Sequence, residues 1–233
     1  MKVEFNSRPR AIELDLRSAA MVVVDMQNAF ASKGGVFDLA GLDISHCAQI
    51  IDVIRRILQS ARAAGMTVVY LQMGYRKDLS DSGGPNSPNW QKELALVLMR
   101  EHPELQGKLL VEGSWDFAIV DELKPQTQDL VVVKSRYSGF AGTKLDSLLR
   151  DRQIQFLFFA GIAANVCVES TLRDAYFLDY WPILITDATM QAGPGFLKDA
   201  TVQNVENHFG WTLNAEDFMK GLKQTIETKP GKS

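Results

Sequence analysis

The sequence predicts a single doubly wound α/β domain, a parallel sheet with helices on both faces. Three observations carry that prediction. Short β-branched, apolar runs at 20–24, 66–71, 130–133, 156–161 and 183–186 lack the polar alternation of a half-exposed strand, so they read as strands buried on both faces. Segments with apolar residues at helical spacing lie between them. The length, 233 residues, suits one such domain spanning 1–233 and is short for two.

Taken in order, the run 20–24 is closed by Asp25. From Ser45, a suitable N-cap, Ile50, Val53, Ile54, Ile57, Leu58 and Ala61 recur on one helical face until Gly65, a suitable C-terminal stop. The next run, 66–71, completes a β-α-β unit whose strands the crossover forces to be parallel. The pattern repeats: a strand over 130–133 ending at Lys134, a helix over 145–152, a very apolar strand over 156–161, a helix over 167–178, a strand over 183–186 and a helix over 196–207. Gly83, Gly84, Pro85 and Pro88 mark the stretch after the second strand as a loop. A long loop at the carboxyl edge of such a sheet is expected to be a lid, here around 74–90. The tail 228–233 is polar and expected to fray.

Composition excludes several functions. Lys and Arg number 25 against 28 Asp and Glu, a formal net charge of −3, so no overall positive field draws nucleic acid or anionic lipid. No apolar run approaches the roughly 18–20 residues needed to span a bilayer, and Met1 to Leu16 lacks the apolar stretch expected of a signal peptide. With Cys47 and Cys167 alone, a disulfide framework is not expected, and a reducing cytoplasm fits best. The turn after Asp25 holds no Gly-x-Gly-x-x-Gly phosphate loop, which weighs against the alternative of a nucleotide-binding or scaffold protein without catalysis.

Three reactive side chains fall at equivalent places. Asp25 ends the first strand, Lys134 ends a middle one, and Cys167 follows the most apolar one, so all three are expected at the carboxyl edge where this fold binds ligands. Each alone has an ordinary explanation: a turn Asp, a solvated Lys, an inert packed Cys. Together they form a coherent set. A thiol with an ordinary pKa of about 8.5 becomes a thiolate more readily beside an ammonium or at a helix N-terminus, and Cys167 is expected to have both. Asp25 is then placed to take the thiol proton and return it to a leaving amine, with Lys134 holding the carboxylate and favouring the thiolate. His46, His102 and His208 lie in peripheral contexts and receive no role.

Val23-Val24-Asp25-Met26-Gln27-Asn28, Val133-Lys134 and Gly161-Ile162-Ala163-Ala164-Asn165-Val166-Cys167-Val168 resemble the signature blocks of the isochorismatase-like cysteine hydrolases. Within that superfamily the chain is most similar to the ureidoacrylate amidohydrolases, through Gly83-Gly84-Pro85, Gly113-Ser114-Trp115-Asp116, Arg136-Tyr137-Ser138-Gly139-Phe140 and Cys167-Val168-Glu169-Ser170-Thr171-Leu172-Arg173-Asp174. The resemblance implies that Asp25, Lys134 and Cys167 are the catalytic triad. It further implies a cis peptide between Ile162 and Ala163, with the backbone N–H groups of Ala163 and Cys167 as an oxyanion hole. The implied activity is cofactor-free cleavage of a small ureido compound, ureidoacrylate first, by an enzyme that relatives suggest is a homo-oligomer.

Two departures narrow the choice. The stretch 72–78 has no histidine where nicotinamidases carry a metal site, so no metal is expected. Tyr75-Arg76-Lys77-Asp78-Leu79 looks more like the loop of biuret hydrolases, which keeps a triuret- or biuret-type hydrolase as an alternative. Further substrate contacts are expected from Asn28 to an amide or ureido group, from Arg76 as a clamp for a substrate carboxylate, from Tyr137 as a pocket wall and from Gln191 to a ureido nitrogen. Trp90 and Trp115 are expected to pack, and Cys47 to be a small core residue.

Overall fold

The computed structural model describes residues 2–227, so the tail 228–233 lies outside the described residues. Six parallel strands form one sheet: β3 (Ala19–Val24), β4 (Thr67–Met73), β5 (Leu130–Lys134), β6 (Phe156–Ile162), β7 (Trp181–Met190) and β8 (Trp211–Leu213). Their spatial order is β5-β4-β3-β6-β7-β8. The chain therefore builds outward from β3 in one direction, returns, and builds outward from β6 in the other. The reversal leaves a crevice above the carboxyl ends of β3 and β6, where connections depart to opposite sides.

Strand periodicity divides the core in two. Ala19, Met21 and Val23 point to one face of the sheet and Ala20, Val22 and Val24 to the other. The first face is covered by α3 (Cys47–Ala63) through Ile50, Ile54 and Ile57, and by α9 (Ala215–Glu227) through Phe218 and Leu222. The second is covered by α6 (Leu145–Arg150) and α7 (Glu169–Phe177), through Leu145, Leu149, Leu172 and Ala175. Each of the larger side chains among these, Val, Leu, Ile, Met or Phe, contributes about 1.5–3 kcal/mol when fully buried, which is why the apolar runs dominate the choice of fold.

The carboxyl edge carries the short helices α1 (Asn28–Ala31), α2 (Val36–Leu39), α4 (Pro88–Lys92) and the longer α5 (Leu94–Glu101), and α8 (Phe196–Asn204) follows β7. Ser87 caps α4 by accepting from Trp90 N, with Pro88 at the first helical position, so the loop predicted around 74–90 ends in ordered structure. One glycine is indispensable to the sheet. Gly161 has φ +119°, and a Cβ there would lie 2.1 Å from the Val24 carbonyl oxygen, so only glycine lets β6 approach β3 beside the crevice.

The sequence reading locates the sheet strands except β8, with shifted ends. The helix expected from Ser45 begins at Cys47, because Asp43 Oδ1 accepts from Ser45 N and forms a turn first. The last long strand runs four residues beyond 186, to Met190. The helix expected over 167–178 divides into a π-helical turn, Ala164–Val168, and α7, so Cys167 lies inside that turn rather than opening an α-helix. The helices expected to end at 152 and 207 end at Arg150 and Asn204, the latter passing into a second π-helical turn, Val205–Phe209. β5 is an edge strand with one open face: Val131 and Val133 are exposed, while Val132 and Lys134 point inward.

Elements unmarked in the sequence are the hairpin β1 (Lys2–Phe5) and β2 (Ile12–Asp15), together with α1, α2, α4, α5, β8 and α9. The hairpin is tied to β8 by a reciprocal pair of backbone bonds between Arg8 and Thr212. Its Val3, Phe5, Ile12 and Leu14 close the α9 side of the core.

Candidate active site

Asp25 is the first residue past β3. Its N–H donates to Leu71 O at 2.9 Å, and its φ of +50° turns the chain off the sheet, a conformation that Asp tolerates better than most residues. The turn is held by Gln27, fully buried, whose side chain donates to Met73 O and Phe117 O and accepts from Met73 N. That grip clamps the ends of β3 and β4 together. Lys134 ends β5, two strands away, and its chain passes Met73 of β4, its register partner, to bring Nζ within 3.7 Å of Met73 Sδ. Nζ then donates to Asp25 Oδ2 at 2.7 Å and to Arg136 O at 3.2 Å. Both side chains of the pair are 0% exposed.

The third residue comes from the π-helical turn after β6. The Ile162–Ala163 peptide is cis, and Ala163 O accepts from both Val166 N and Val168 N, winding the turn tightly around Cys167. Two side chains anchor this turn to its surroundings. Thr171 donates to Cys167 O and accepts from Gly139 N, linking it to the segment after β5, while Asn165 exchanges two bonds with the backbone of Ala192 after β7. The Cys167 thiol thereby interacts with both the Asp25 carboxyl and the Lys134 ammonium.

Electrostatics differ from the sequence expectation at one point. Burial pushes the Cys167 thiol well above its ordinary range, and the Asp25 carboxylate adds to the rise. Lys134 pulls the other way, but the cost of burying the charge outweighs it. Burial therefore favours the thiol, against the pull toward thiolate expected from an ammonium neighbour and a helix N-terminus. Burial likewise raises the Asp25 carboxyl against the opposing pull of Lys134, which makes it a stronger base than a surface Asp. For Lys134 burial opposes the charge, but Asp25 and Cys167 outweigh it and its pKa is raised.

Cys167, alone of the three, lines a cavity of about 140 Å³. That is small beside the roughly 300–1,000 Å³ of pockets for drug-sized ligands, and it suits a compact molecule. Phe30, Phe37, Leu42, Met73, Ile162 and Val166 make its walls mostly apolar, and Ala163 and Cys167 line it together. Tyr137, expected as a pocket wall, lines it too; burial, Glu93 and Cys167 push its hydroxyl up to about 12.

The other expected contacts are not among the lining residues. Arg76 is exposed, following the buried Tyr75 that bridges to Val111, so the expected carboxylate clamp stands outside the cavity. Asn28 spends its amide on Trp115 O and its carbonyl oxygen on Ser32, holding the turn instead of a ligand. Gln191 donates weakly to Gly193 O, and its neighbour Ala192 lines the cavity. Trp90 lies under the Arg100 guanidinium, Trp115 is exposed, and Cys47 is buried as expected. Glu93 is a lining residue that the sequence reading passed over; an acidic residue immediately before the apolar run of α5 was its one signal. Among the described residues no group of three or more His, Cys, Asp or Glu side chains could hold a metal ion, and no helix is long and apolar enough to cross a membrane.

Two outcomes test this electrostatic picture. Lys134→Met should lower stability by about 3–5 kcal/mol in urea unfolding by leaving Asp25 buried and unpaired, and adding Asp25→Asn should recover much of the loss. Alkylation of Cys167 in the ligand-free protein should keep accelerating as pH rises past the ordinary thiol range, because the thiolate fraction grows only there; a plateau already reached at neutral pH would mean a preformed thiolate.

The family model described as the isochorismatase domain matches residues 19–217. The chain is 52% identical over 218 residues to ureidoacrylate amidohydrolase RutB of Azorhizobium caulinodans and 53% identical over 218 residues to that of Agrobacterium fabrum, covering 94% of this chain and 96% of the relative in each case. Among solved structures, a cysteine hydrolase from Pseudomonas syringae pv. phaseolicola superposes with a TM-score of 0.76 at 27% identity, over 91% of this chain and 95% of the other. N-carbamoylsarcosine amidase from Thermoplasma acidophilum does so with 0.64 at 25% identity, over 85% and 97%.

Proposed function

The chain belongs to the isochorismatase domain family, and from that premise we propose that it is a cysteine amidohydrolase that cleaves the C–N bond of a small ureido compound, ureidoacrylate foremost. The observation that carries the reading is the fully buried Lys134–Asp25 pair, 2.7 Å apart, acting on the thiol of Cys167 at the floor of a small cavity. Besides the ammonium that pairs with it, the Asp25 carboxylate meets the thiol of Cys167, which is a nucleophile once deprotonated.

In this reading Asp25 takes the Cys167 proton as sulfur attacks the ureido carbonyl carbon. The backbone N–H groups of Ala163 and Cys167 hold the developing oxyanion, a role worth roughly 3–4 kcal/mol per donor in comparable sites. Asp25 then returns the proton to the leaving nitrogen, releasing aminoacrylate and leaving a carbamoyl thioester on Cys167. A water molecule, deprotonated by Asp25, displaces the thiol and yields carbamate, which decomposes to ammonia and carbon dioxide. Lys134 keeps Asp25 in place and ionised between these steps. Tyr137 walls the cavity.

A second reading, a triuret- or biuret-type hydrolase with the same three residues, is favoured by one observation. None of the residues lining the cavity is Arg, Lys or His, so no cation there is ready for a substrate carboxylate. We also propose that copies of the chain assemble into a homo-oligomer in the cytoplasm. The exposed Tyr176, Phe177 and Phe196 support assembly, and the two free cysteines suit a reducing compartment.

Ammonia release from ureidoacrylate, biuret and triuret tests the function. Wild-type protein should turn over at least one of them and be unaffected by EDTA. Cys167→Ala should abolish turnover, and Asp25→Asn should lower kcat by about 10²–10⁴-fold while remaining folded. Retained activity in Cys167→Ala would overturn the assignment.

A further inference from the structure

Glu93 is an uncommon object in this cavity. It is 3% exposed, lines the same walls as Cys167 and Tyr137, and belongs to none of the catalytic steps above. Part of its role is structural: Oε1 accepts from Ala95 N at 3.2 Å and Oε2 from Leu96 N at 3.0 Å, capping α5. A third bond comes from the Tyr75 hydroxyl, which itself accepts from Asn89 Nδ2. A carboxylate offers about four acceptor positions, so three bonds leave one open. Capping alone does not need a carboxylate here, since a serine or asparagine caps as well without burying a charge.

We propose that Glu93 is a specificity-determining residue of the cavity, accepting a hydrogen bond from the terminal amino group of a carbamoyl substrate. This rests on the amidohydrolase reading and adds a direction to it: the –CO–NH2 end enters first, and any substrate carboxylate stays at the opening. The charge pattern supports that direction. Glu93 is the one acid among the lining residues, and no lining cation offsets it. Lys134 attracts Glu93, Tyr137 feels both Glu93 and Cys167, and the acceptor and the nucleophile line one small cavity. Burial raises the Glu93 carboxyl, and an N–H donor beside it stabilises its ionised form where a second carboxylate would not.

The test uses two alkylating probes of nearly equal size, iodoacetamide with a terminal –CO–NH2 and iodoacetate with a carboxylate. Rates of Cys167 labelling are read by mass spectrometry of the labelled peptide at one pH, so the thiolate fraction cancels in their ratio. In wild-type protein the iodoacetamide-to-iodoacetate ratio should exceed that of free cysteine by roughly 10- to 100-fold, the range expected when one hydrogen bond to a charged group is gained or lost. Glu93→Gln and Glu93→Ser should bring it back toward the free-cysteine value, and Glu93→Ser keeps a residue able to cap α5 if the glutamine variant fails to fold. A wild-type ratio no higher than that of free cysteine would overturn the proposal, as would an unchanged ratio in either folded variant. Labelling needs no turnover, so a protein that hydrolysed no ureide would sink the amidohydrolase reading and leave this test intact.

Discussion

The ion pair between Lys134 and Asp25 is the constraint to which the rest of the site conforms. Two opposite charges with no exposed side-chain surface would be costly anywhere in the core, and they are tolerable here because they meet at 2.7 Å and the lysine is further bonded to Arg136 O. Bringing them together requires a sheet in which β5, β4 and β3 are adjacent and in register, so that a residue ending β5 reaches across β4 to a residue following β3. The strand order, the Gln27 clamp and the inward face of Lys134 on an edge strand all serve that reach.

The same pair determines how the nucleophile behaves. A lysine neighbour favours the thiolate of a cysteine, but burial, with the Asp25 carboxylate adding to it, outweighs that pull and favours the thiol. Reactivity then depends on a base that acts when a substrate carbonyl is present, which protects the thiol from indiscriminate chemistry in the resting protein. The tight turn around Cys167 is anchored at Thr171 and Asn165 to the segments after β5 and β7, so the nucleophile is held by the strands on both sides of the crevice. Pre-positioning of this kind is what lets a small cavity do without large binding surfaces.

Much of this was legible before any coordinates. Apolar runs buried on both faces leave little freedom in choosing strands, and polar residues that terminate such runs fall at one edge of a parallel sheet, which is why Asp25, Lys134 and Cys167 were found. The parts that were missed have physical reasons. The hairpin and β8 are strands of three or four residues, too short for periodicity to separate from loop, and the π-helical turn has no sequence period of its own. Arg76 and Asn28 carry suitable chemistry, but which way a loop side chain points depends on its neighbours: Tyr75 is buried and Arg76 is exposed, and the Asn28 amide is taken up by Trp115 O. Glu93 was hidden because a helix cap and a cavity wall look the same in one dimension. The burial of Cys167, which outweighs the pull of Lys134 and favours the thiol, is likewise invisible in one dimension.

The most direct measurement is acid quenching of the protein within milliseconds of mixing with ureidoacrylate, followed by mass spectrometry of its two cysteine-containing peptides. A carbamoyl group should be found on Cys167, absent from Cys47, and accumulating when the water-dependent step is slowed. Turnover of ureidoacrylate with no adduct on Cys167 at any quench time, or with full activity after Cys167 is blocked, would contradict a covalent mechanism built on the buried Asp25–Lys134 pair.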